Sequence, residues 1–424
     1  MDRKYAFFGI NILILALILS PGCTTESGDE HQIVTPPLVY PGNISGAVDG
    51  NNLFAMDYYS KINASEGNIF FSPWSISSAL AMTYEGAVGK TSEEMASVMH
   101  FQKESATMRD SFLALYDRFN GKDAGYTIST ANALWVQKDY ALLKDYTDTI
   151  DEYYRGKASN VDYNNPEEAR KTINSWVSEK TYSKIPELIP KGLITPATRL
   201  VLTNAIYFKG TWIKEFNKDN TREENFRTGD GKNVPVQMMR RTDEKAVFSY
   251  AETEDLQILE MPYKGEKIAM MVLLPKMDNK MPELEKTLTA DVLKSLRSDL
   301  KEQRVDIYFP KFKFEAKYSM AADLQKMGMH APFEPGVADF SVMVGQKDLF
   351  ISSVIHQAFV EVNEEGTEAA AATAVIMTKS LSTHEGPKIP VFRADHPFIF
   401  LIQDKETGTI LFMGKMNDPS KTAN

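Results

Sequence analysis

Cysteine is nearly absent from this chain of 424 residues, because Cys23 is its only cysteine. A single thiol excludes an intramolecular disulfide and a Cys-His catalytic pair, so the stability of the fold must come from a packed core. The six histidines are scattered, and no His-Glu-x-x-His or Gly-x-Ser-x-Gly motif occurs. The sequence therefore offers no catalytic constellation and no metal or cofactor site, and we predict that the protein is not an enzyme.

Long runs of one charge are also missing. The 47 basic and 57 acidic residues are interleaved along the chain and give a net charge of −10. No basic stretch of the kind that polyanion binding requires is present, which argues against a nucleic-acid partner. The hydrophobic fraction of 43% is sufficient, over this length, for a large core.

No apolar run is long enough to cross a bilayer. Residues 5–19 are apolar and follow Arg3 and Lys4, but this stretch is shorter than the roughly 20 residues that a spanning helix needs. Residues 1–22 are therefore predicted to be a secretory signal peptide.

Cys23 stands just after the predicted signal peptide, where a signal peptide would be cut. This segment resembles a prokaryotic lipobox, which implies a thioether-linked lipid on Cys23. The expected location is then the outer face of the cell membrane, with the N-terminal lipid as the only membrane contact. Cleavage without lipidation, which would give a secreted protein, and a retained signal anchor are the alternatives.

The rest of the chain is predicted to be a short tether followed by one large domain. Residues 23–45 include Pro36, Pro37 and Pro41 among Gly, Ser and charged residues, which is typical of a flexible tether. No internal repeat or linker interrupts residues 46–424, which we interpret as a single α+β domain.

Hydrophobic periodicity and capping residues predict the elements of this domain. Ser72 and Pro73 are typical of a helix cap and a first helical residue. Further helices are predicted at 52–62, 92–120, 166–182 and 291–300. Strands are predicted at 68–71, 200–208, 245–250, 256–261, 268–274, 305–314 and 350–363.

Residues 364–374 read Glu-Glu-Gly-Thr-Glu-Ala-Ala-Ala-Ala-Thr-Ala and have an ambiguous preference. The four alanines favour a helix by propensity, yet residues 350–363 before them and 397–402 after them are rich in β-branched and aromatic residues. One interpretation is a short solvated helix. The other is a segment that stays out as an exposed loop, or enters a sheet where bulky side chains would not fit.

Five separated motifs, in this order along the chain, resemble those of the serpin family from about Asp49 to the end. They are Asn-Ile-Phe-Phe-Ser-Pro-Trp-Ser-Ile (68–76), Asn-Ala-Ile-Tyr-Phe-Lys-Gly-Thr-Trp (204–212), Asn-Glu-Glu-Gly-Thr-Glu-Ala (363–369), Phe-Arg-Ala-Asp-His-Pro-Phe (392–398) and Leu-Phe-Met-Gly-Lys (411–415). The resemblance implies three β-sheets, about nine helices and an exposed reactive loop near the C-terminus. It also implies that the partner is a target protease, with the serine class as the leading expectation, and that the protein is a monomer.

In a serpin, cleavage of the loop lets its N-terminal part insert as a new middle strand of a large sheet, and the acylated protease is carried to the far pole. By this resemblance the insertion hinge consists of Glu364, Glu365, Gly366, Thr367, Glu368, Ala369, Ala370, Ala371, Ala372 and Thr373. Insertion starts at Thr367 and buries alternate side chains, so Thr367, Ala369, Ala371 and Thr373 must be small. All four are small, whereas non-inhibitory relatives tend to carry proline, charge or bulk there. We therefore predict an active inhibitor, with a non-inhibitory binding or chaperone-like protein and a cysteine-protease inhibitor as alternatives.

The resemblance assigns further residues singly. Counting fourteen residues beyond Gly366, as the family does, gives Ser380, so the reactive bond is expected between Ser380 and Leu381. A slip of one residue in this count would place it between Lys379 and Ser380. A polar cluster where the sheet must open is expected from Ser72, Ser75, Asn204 and His356. The region where insertion begins is expected to contain Trp212, Tyr263, Lys311 and Glu364.

Overall fold

The computed structural model describes residues 44–64, 67–102, 104–120, 125–277, 280–367 and 389–422. Ten α-helices lie within these ranges: α1 (Ser45–Ile62), α2 (Pro73–Tyr84), α3 (Lys90–Met99), α4 (Ser105–Phe119), α5 (Lys144–Tyr154), α6 (Pro166–Lys180), α7 (Met281–Thr287), α8 (Ala290–Ser298), α9 (Ala321–Lys326) and α10 (Ser341–Val344).

The same ranges contain the following strands: β1 (Ile69–Phe71), β2 (Tyr126–Gln137), β3 (Lys157–Val161), β4 (Leu200–Thr211), β5 (Arg222–Arg227), β6 (Asn233–Arg241), β7 (Val247–Glu252), β8 (Leu256–Pro262), β9 (Ile268–Pro275), β10 (Lys301–Arg304), β11 (Asp306–Pro310), β12 (Phe312–Ser319), β13 (Ile351–Asn363), β14 (Gly366–Thr367), β15 (Val391–Arg393), β16 (Phe398–Asp404) and β17 (Ile410–Met416).

These strands form three sheets, which confirms the predicted α+β architecture. A six-stranded sheet has the order β12-β13-β14-β4-β2-β3, a seven-stranded sheet has the order β1-β17-β16-β9-β8-β7-β10, and a four-stranded sheet has the order β15-β11-β6-β5. Strand β14 separates β13 from β4 over only two residues. Beyond it, β13 pairs directly with β4, in parallel and over eight residue pairs. We call this β4–β13 boundary the seam, because a strand that continues β14 would enter the sheet there.

Both faces of the six-stranded sheet are covered by apolar side chains. Its inner face adds Leu202 and Ile206 to the main hydrophobic cluster, which fills the space beneath the sheet. On its outer face, Trp135 packs with Ile173 and Val177 of α6 in a second cluster. Ile173 and Val177 are four residues apart and so face the same side of the helix, which is why α6 lies against the sheet.

Several predicted boundaries differ from the observed ones. The first helix begins at Ser45, the last residue assigned to the tether, rather than at Asn52. The single helix predicted over 92–120 is two helices, because His100 adopts a left-handed conformation with φ of 55°. The strand predicted over 305–314 divides at Lys311 into β11 and β12, which belong to different sheets. Within the described ranges, no helix combines the length and apolar character needed to cross a membrane.

Candidate functional site

The hinge enters the six-stranded sheet at one end of the seam. Gly366 and Thr367 form β14, which pairs antiparallel with β13 on one side and with β4 on the other. A Cβ atom on Gly366 would lie 2.0 Å from the carbonyl oxygen of Gly210, so only glycine fits here. The sequence analysis expects insertion to start at Thr367, and in the uncut chain Thr367 is already paired and fully buried.

Tyr263 and Trp212 surround the buried end of the hinge. The Tyr263 hydroxyl lies 2.7 Å from the Thr367 Oγ1 atom, and both side chains are buried. The indole of Trp212 stacks on the Tyr263 ring with centroids 4.4 Å apart, and its Nε1 donates to the carbonyl oxygen of Asn363. Burial raises the pKa of Tyr263 well above its ordinary value, so the phenol stays neutral and available for this hydrogen bond.

Two acidic residues hold the chain just before β14. The carboxylate of Glu364 is buried, pairs with Lys311 Nζ at 2.8 Å and accepts a hydrogen bond of 2.8 Å from Thr221 Oγ1. Burial alone would raise the pKa of Glu364, but the hydrogen bonds and the positive charge of Lys311 outweigh it, so the pKa lies below its ordinary value. Glu365 pairs with Lys218 at 2.5 Å. The Glu364–Lys311 pair was expected, whereas Lys218 and Thr221 were not.

Beneath the middle of the seam lies the expected polar cluster. His356 Nε2 accepts a hydrogen bond of 3.1 Å from the backbone N–H of Ser72, and His356 Nδ1 donates to Asn204 Oδ1. The amide nitrogen of Asn204 donates to Ser75 Oγ at 2.6 Å and to Asn132 Oδ1 at 2.5 Å. The structure therefore brings together all four predicted residues.

Asn132 is the fifth member of this cluster, and sequence reasoning missed it. It lies directly opposite Asn204 in the β2–β4 register, and Asn204 lies opposite His356 in the β4–β13 register. The only signal in the sequence was an asparagine just before the apolar run Ala133–Val136. Burial lowers the pKa of His356 to about 3, so the imidazole is neutral at physiological pH.

The other predicted site residues lie outside the described residues. These are the lipid-anchor residue Cys23, the hinge residues Glu368, Ala369, Ala370, Ala371, Ala372 and Thr373, and the reactive-bond residues Lys379, Ser380 and Leu381. Their roles stay predictions. In the part of the chain that the structure describes, no group of three His, Cys, Asp or Glu side chains is placed to hold a metal ion.

Comparison with known proteins agrees with this geometry. The family model described as "Serpin (serine protease inhibitor)" matches residues 49–419. An uncharacterized serpin-like protein of Thermococcus kodakarensis is 43% identical over 89% of this chain and 87% of its own length. Human Serpin B3 is 41% identical over 88% of this chain and 99% of its own length.

Solved structures agree as well. The crystal structure of Serpin48, a highly specific serpin of the insect Tenebrio molitor, superposes with a TM-score of 0.77 at 30% identity and covers 87% of this chain and 97% of its own. Human thyroxine-binding globulin in complex with thyroxine gives a TM-score of 0.81 at 28% identity over 89% of this chain and 100% of its own. Since the family model spans most of the sequence and these relatives match it over nearly their full lengths, this chain belongs to the serpin family.

Proposed function

We propose that this protein is an irreversible suicide-substrate inhibitor of serine proteases, consumed in the reaction rather than acting as a catalyst. The protease serine hydroxyl attacks the carbonyl carbon of Ser380, and the Ser380–Leu381 peptide bond breaks. The new N-terminus at Leu381 leaves with the proton, and Ser380 remains bound to the protease as an ester. If the preceding chain inserts into the sheet before water attacks this ester, the protease is trapped. Lys379–Ser380 is the alternative bond.

The observation that carries this proposal is the pairing of β14 with both of its neighbours. Thr367 lies opposite Gly210 of β4 and opposite Val362 of β13. A strand that continues from Thr367 in the same register would separate β4 from β13 one residue pair at a time. Because the first two residues are already in place, insertion requires extension of an existing strand rather than formation of a new one.

The same register supports the proposal at the middle of the seam. Continued from Thr367, it places Thr373 opposite Asn204 on one side and His356 on the other, which are now bonded to each other. Insertion would break this buried hydrogen bond, and a hydroxyl can both donate and accept in its place. An apolar residue there would leave buried polar groups unpaired, at about 1–3 kcal/mol each.

A panel of serine and cysteine proteases tests this function directly. Each protease is incubated with the protein, followed by denaturing electrophoresis and mass measurement of the released C-terminal peptide. A complex that survives denaturation, with a peptide beginning at Leu381 or Ser380, is the expected result with a serine protease. Complexes with cysteine proteases alone would assign the other protease class. Cleavage without any complex would make this a non-inhibitory serpin-fold binding or chaperone-like protein.

Thr367→Arg separates trapping from recognition by the protease. The described side-chain partner of the buried Thr367 is the Tyr263 hydroxyl, which is neutral, so a guanidinium there would be a buried charge without a counter-charge, at a cost of several kcal/mol by order of magnitude. The reactive bond is unchanged, so we expect cleavage at a similar rate and loss of the trapped complex. Thr367→Ser, which keeps the hydroxyl in a small side chain, is the matched control and should still trap. Full trapping by Thr367→Arg would exclude insertion through this hinge.

We also propose that the protein is exported as a monomer and held on the outer face of the membrane by a lipid on Cys23. A membrane location would confine the inhibitor to proteases at the cell surface. Cys23→Ser should then release the protein from the membrane fraction without changing inhibition. Retention of this variant would favour a signal anchor.

A further inference from the structure

A small and largely enclosed cavity lies where the first two turns of α1 meet α2, α4 and residues 100–102, which follow α3. Its volume is about 10 Å³, measured as the space open to the centre of a water molecule. A space of this size holds one water molecule and nothing larger. Part of its wall is apolar and is formed by Ala47, Phe101, Met108 and Phe112.

Three buried side-chain oxygens belong to residues that line this cavity: Asn51 Oδ1, Ser77 Oγ and Gln102 Oε1. None of the three has a hydrogen-bond partner among the described residues. The side chains of Asn51 and Ser77 are 3% and 1% exposed, so bulk water does not reach them. A buried polar atom without a partner is unfavourable, and the large majority of such atoms in proteins bond to protein or to ordered water. Three of them around one cavity indicate a common partner.

Neighbouring contacts hold two of these side chains in place. Asn51 Nδ2 donates to the carbonyl oxygen of Ile410 at 3.0 Å and to Asn52 Oδ1 at 3.2 Å. Reversing the Asn51 amide would set its oxygen against these two acceptors, so the orientation with Oδ1 unpaired is the favoured one. The Gln102 amide lies directly against α1, because a Cβ atom on Gly46 would be 1.5 Å from Gln102 Nε2. The two amide oxygens therefore cannot easily turn away to find other partners.

We infer that Asn51, Ser77 and Gln102 together bind one buried water molecule. The water donates to the two amide oxygens and accepts from the Ser77 hydroxyl, which gives it three hydrogen bonds, the usual number for a buried water. A metal cation does not fit this site. The described residues that line the cavity include no carboxylate, so the charge of a cation would be buried without a counter-charge.

This water joins parts of the chain that are far apart in sequence. Asn51 lies in α1, and Gln102 follows α3. Ser77 lies in α2, the helix that also supplies Ser75 to the polar cluster beneath the seam. The bound water therefore ties α1 and the end of α3 to the helix on which the cluster is built. The inference concerns the folded, uncut chain, so it stands apart from protease inhibition.

A high-resolution crystal structure of the wild-type protein tests the site directly. We expect one isolated density peak at about 2.5–3.0 Å from each of the three oxygens. A cavity without density would overturn the inference. So would a structure in which the three side chains hydrogen-bond to one another directly, since no water would then be needed.

Urea unfolding of a pair of variants tests whether the water couples the side chains. Ser77→Ala and Gln102→Met each remove one partner of the water, and Met keeps the length of the Gln side chain. Because both side chains act through the same water, the loss of unfolding free energy in the double variant should be smaller than the sum of the two single losses.

Ser78→Ala is the matched control for this pair. Ser78 is also buried in α2, but its Oγ donates to the carbonyl oxygen of Trp74 at 2.9 Å. Its loss should therefore add to that of Gln102→Met. Additive losses for Ser77→Ala with Gln102→Met would overturn the inference, as would an equal coupling in the control pair. If a variant does not fold, the wild-type crystal structure still decides the question.

Discussion

Lowering the pH should destabilise this protein through His356. The unfolded chain titrates at this histidine with a pKa of 6.5, whereas burial lowers the pKa in the folded protein to about 3. Between these two values the unfolded state binds a proton that the folded state excludes, so the free energy of unfolding falls as the pH falls. From pH 7 to pH 5 this single group should remove about 2 kcal/mol of stability.

His356→Gln isolates this contribution, because glutamine can accept from the Ser72 N–H and donate to Asn204 but does not titrate. Urea unfolding of both proteins is measured at pH 7 and pH 5, and the loss of unfolding free energy is compared. Carboxylates and other groups titrate in both proteins and cancel in the comparison. Wild type should lose about 2 kcal/mol more than the variant. Equal losses would mean that the histidine is not held neutral beneath the seam, and would refute this account of the cluster.

Three further predictions concern the hinge and the cluster. Tyr263→Phe and Thr367→Val should each lower the free energy of unfolding by about 1–3 kcal/mol because a buried hydroxyl is left unpaired, and the double variant should lose less than the sum of the two. Glu364→Gln should increase hydrogen exchange at the β14 amides at pH 7; since the pKa of Glu364 is lowered in the fold, this difference from wild type should persist through the ordinary pKa range of a glutamate and disappear only at lower pH. Asn132→Ala should cost about 1–3 kcal/mol in urea unfolding, as it removes the buried oxygen that accepts hydrogen bonds from the Ser75 hydroxyl and the Asn204 amide; an unchanged midpoint would remove Asn132 from the cluster.

The sequence predicted best where one local signal determines the structure. Ser72 caps α2 as expected, since its Oγ accepts a hydrogen bond of 3.1 Å from the Ser75 backbone N–H. By contrast, β2 was missed altogether, because its second half, residues 131–137, is buried on both faces and shows no alternating pattern. The helix break at His100 was missed because a left-handed residue that is not glycine leaves no signal in the sequence.

At the candidate site, the resemblance to serpins identified several residues, but the sequence does not show which of their side chains are in contact. Three of the four expected members of the polar cluster come from two motifs far apart in the chain, and the fourth, His356, lies in β13 outside the motifs; the structure brings them together. Lys218 is 147 residues from Glu365, and no local pattern connects them. Burial of Thr367 was missed for a different reason, since the motif identifies the hinge but does not say how many of its residues occupy the sheet before cleavage.

Lys311 links the two ends of the loop. It follows β11, the strand that holds β15 at the C-terminal end of the loop, and its side chain holds Glu364 at the N-terminal end. The described residues on both sides of the loop, Glu364 and β15, are thus bound to one short stretch of chain, residues 306–311. If a protease cuts the loop as proposed, the residues after Thr367 lose their covalent connection to β15, and the end that continues β14 is the one already aligned with the seam.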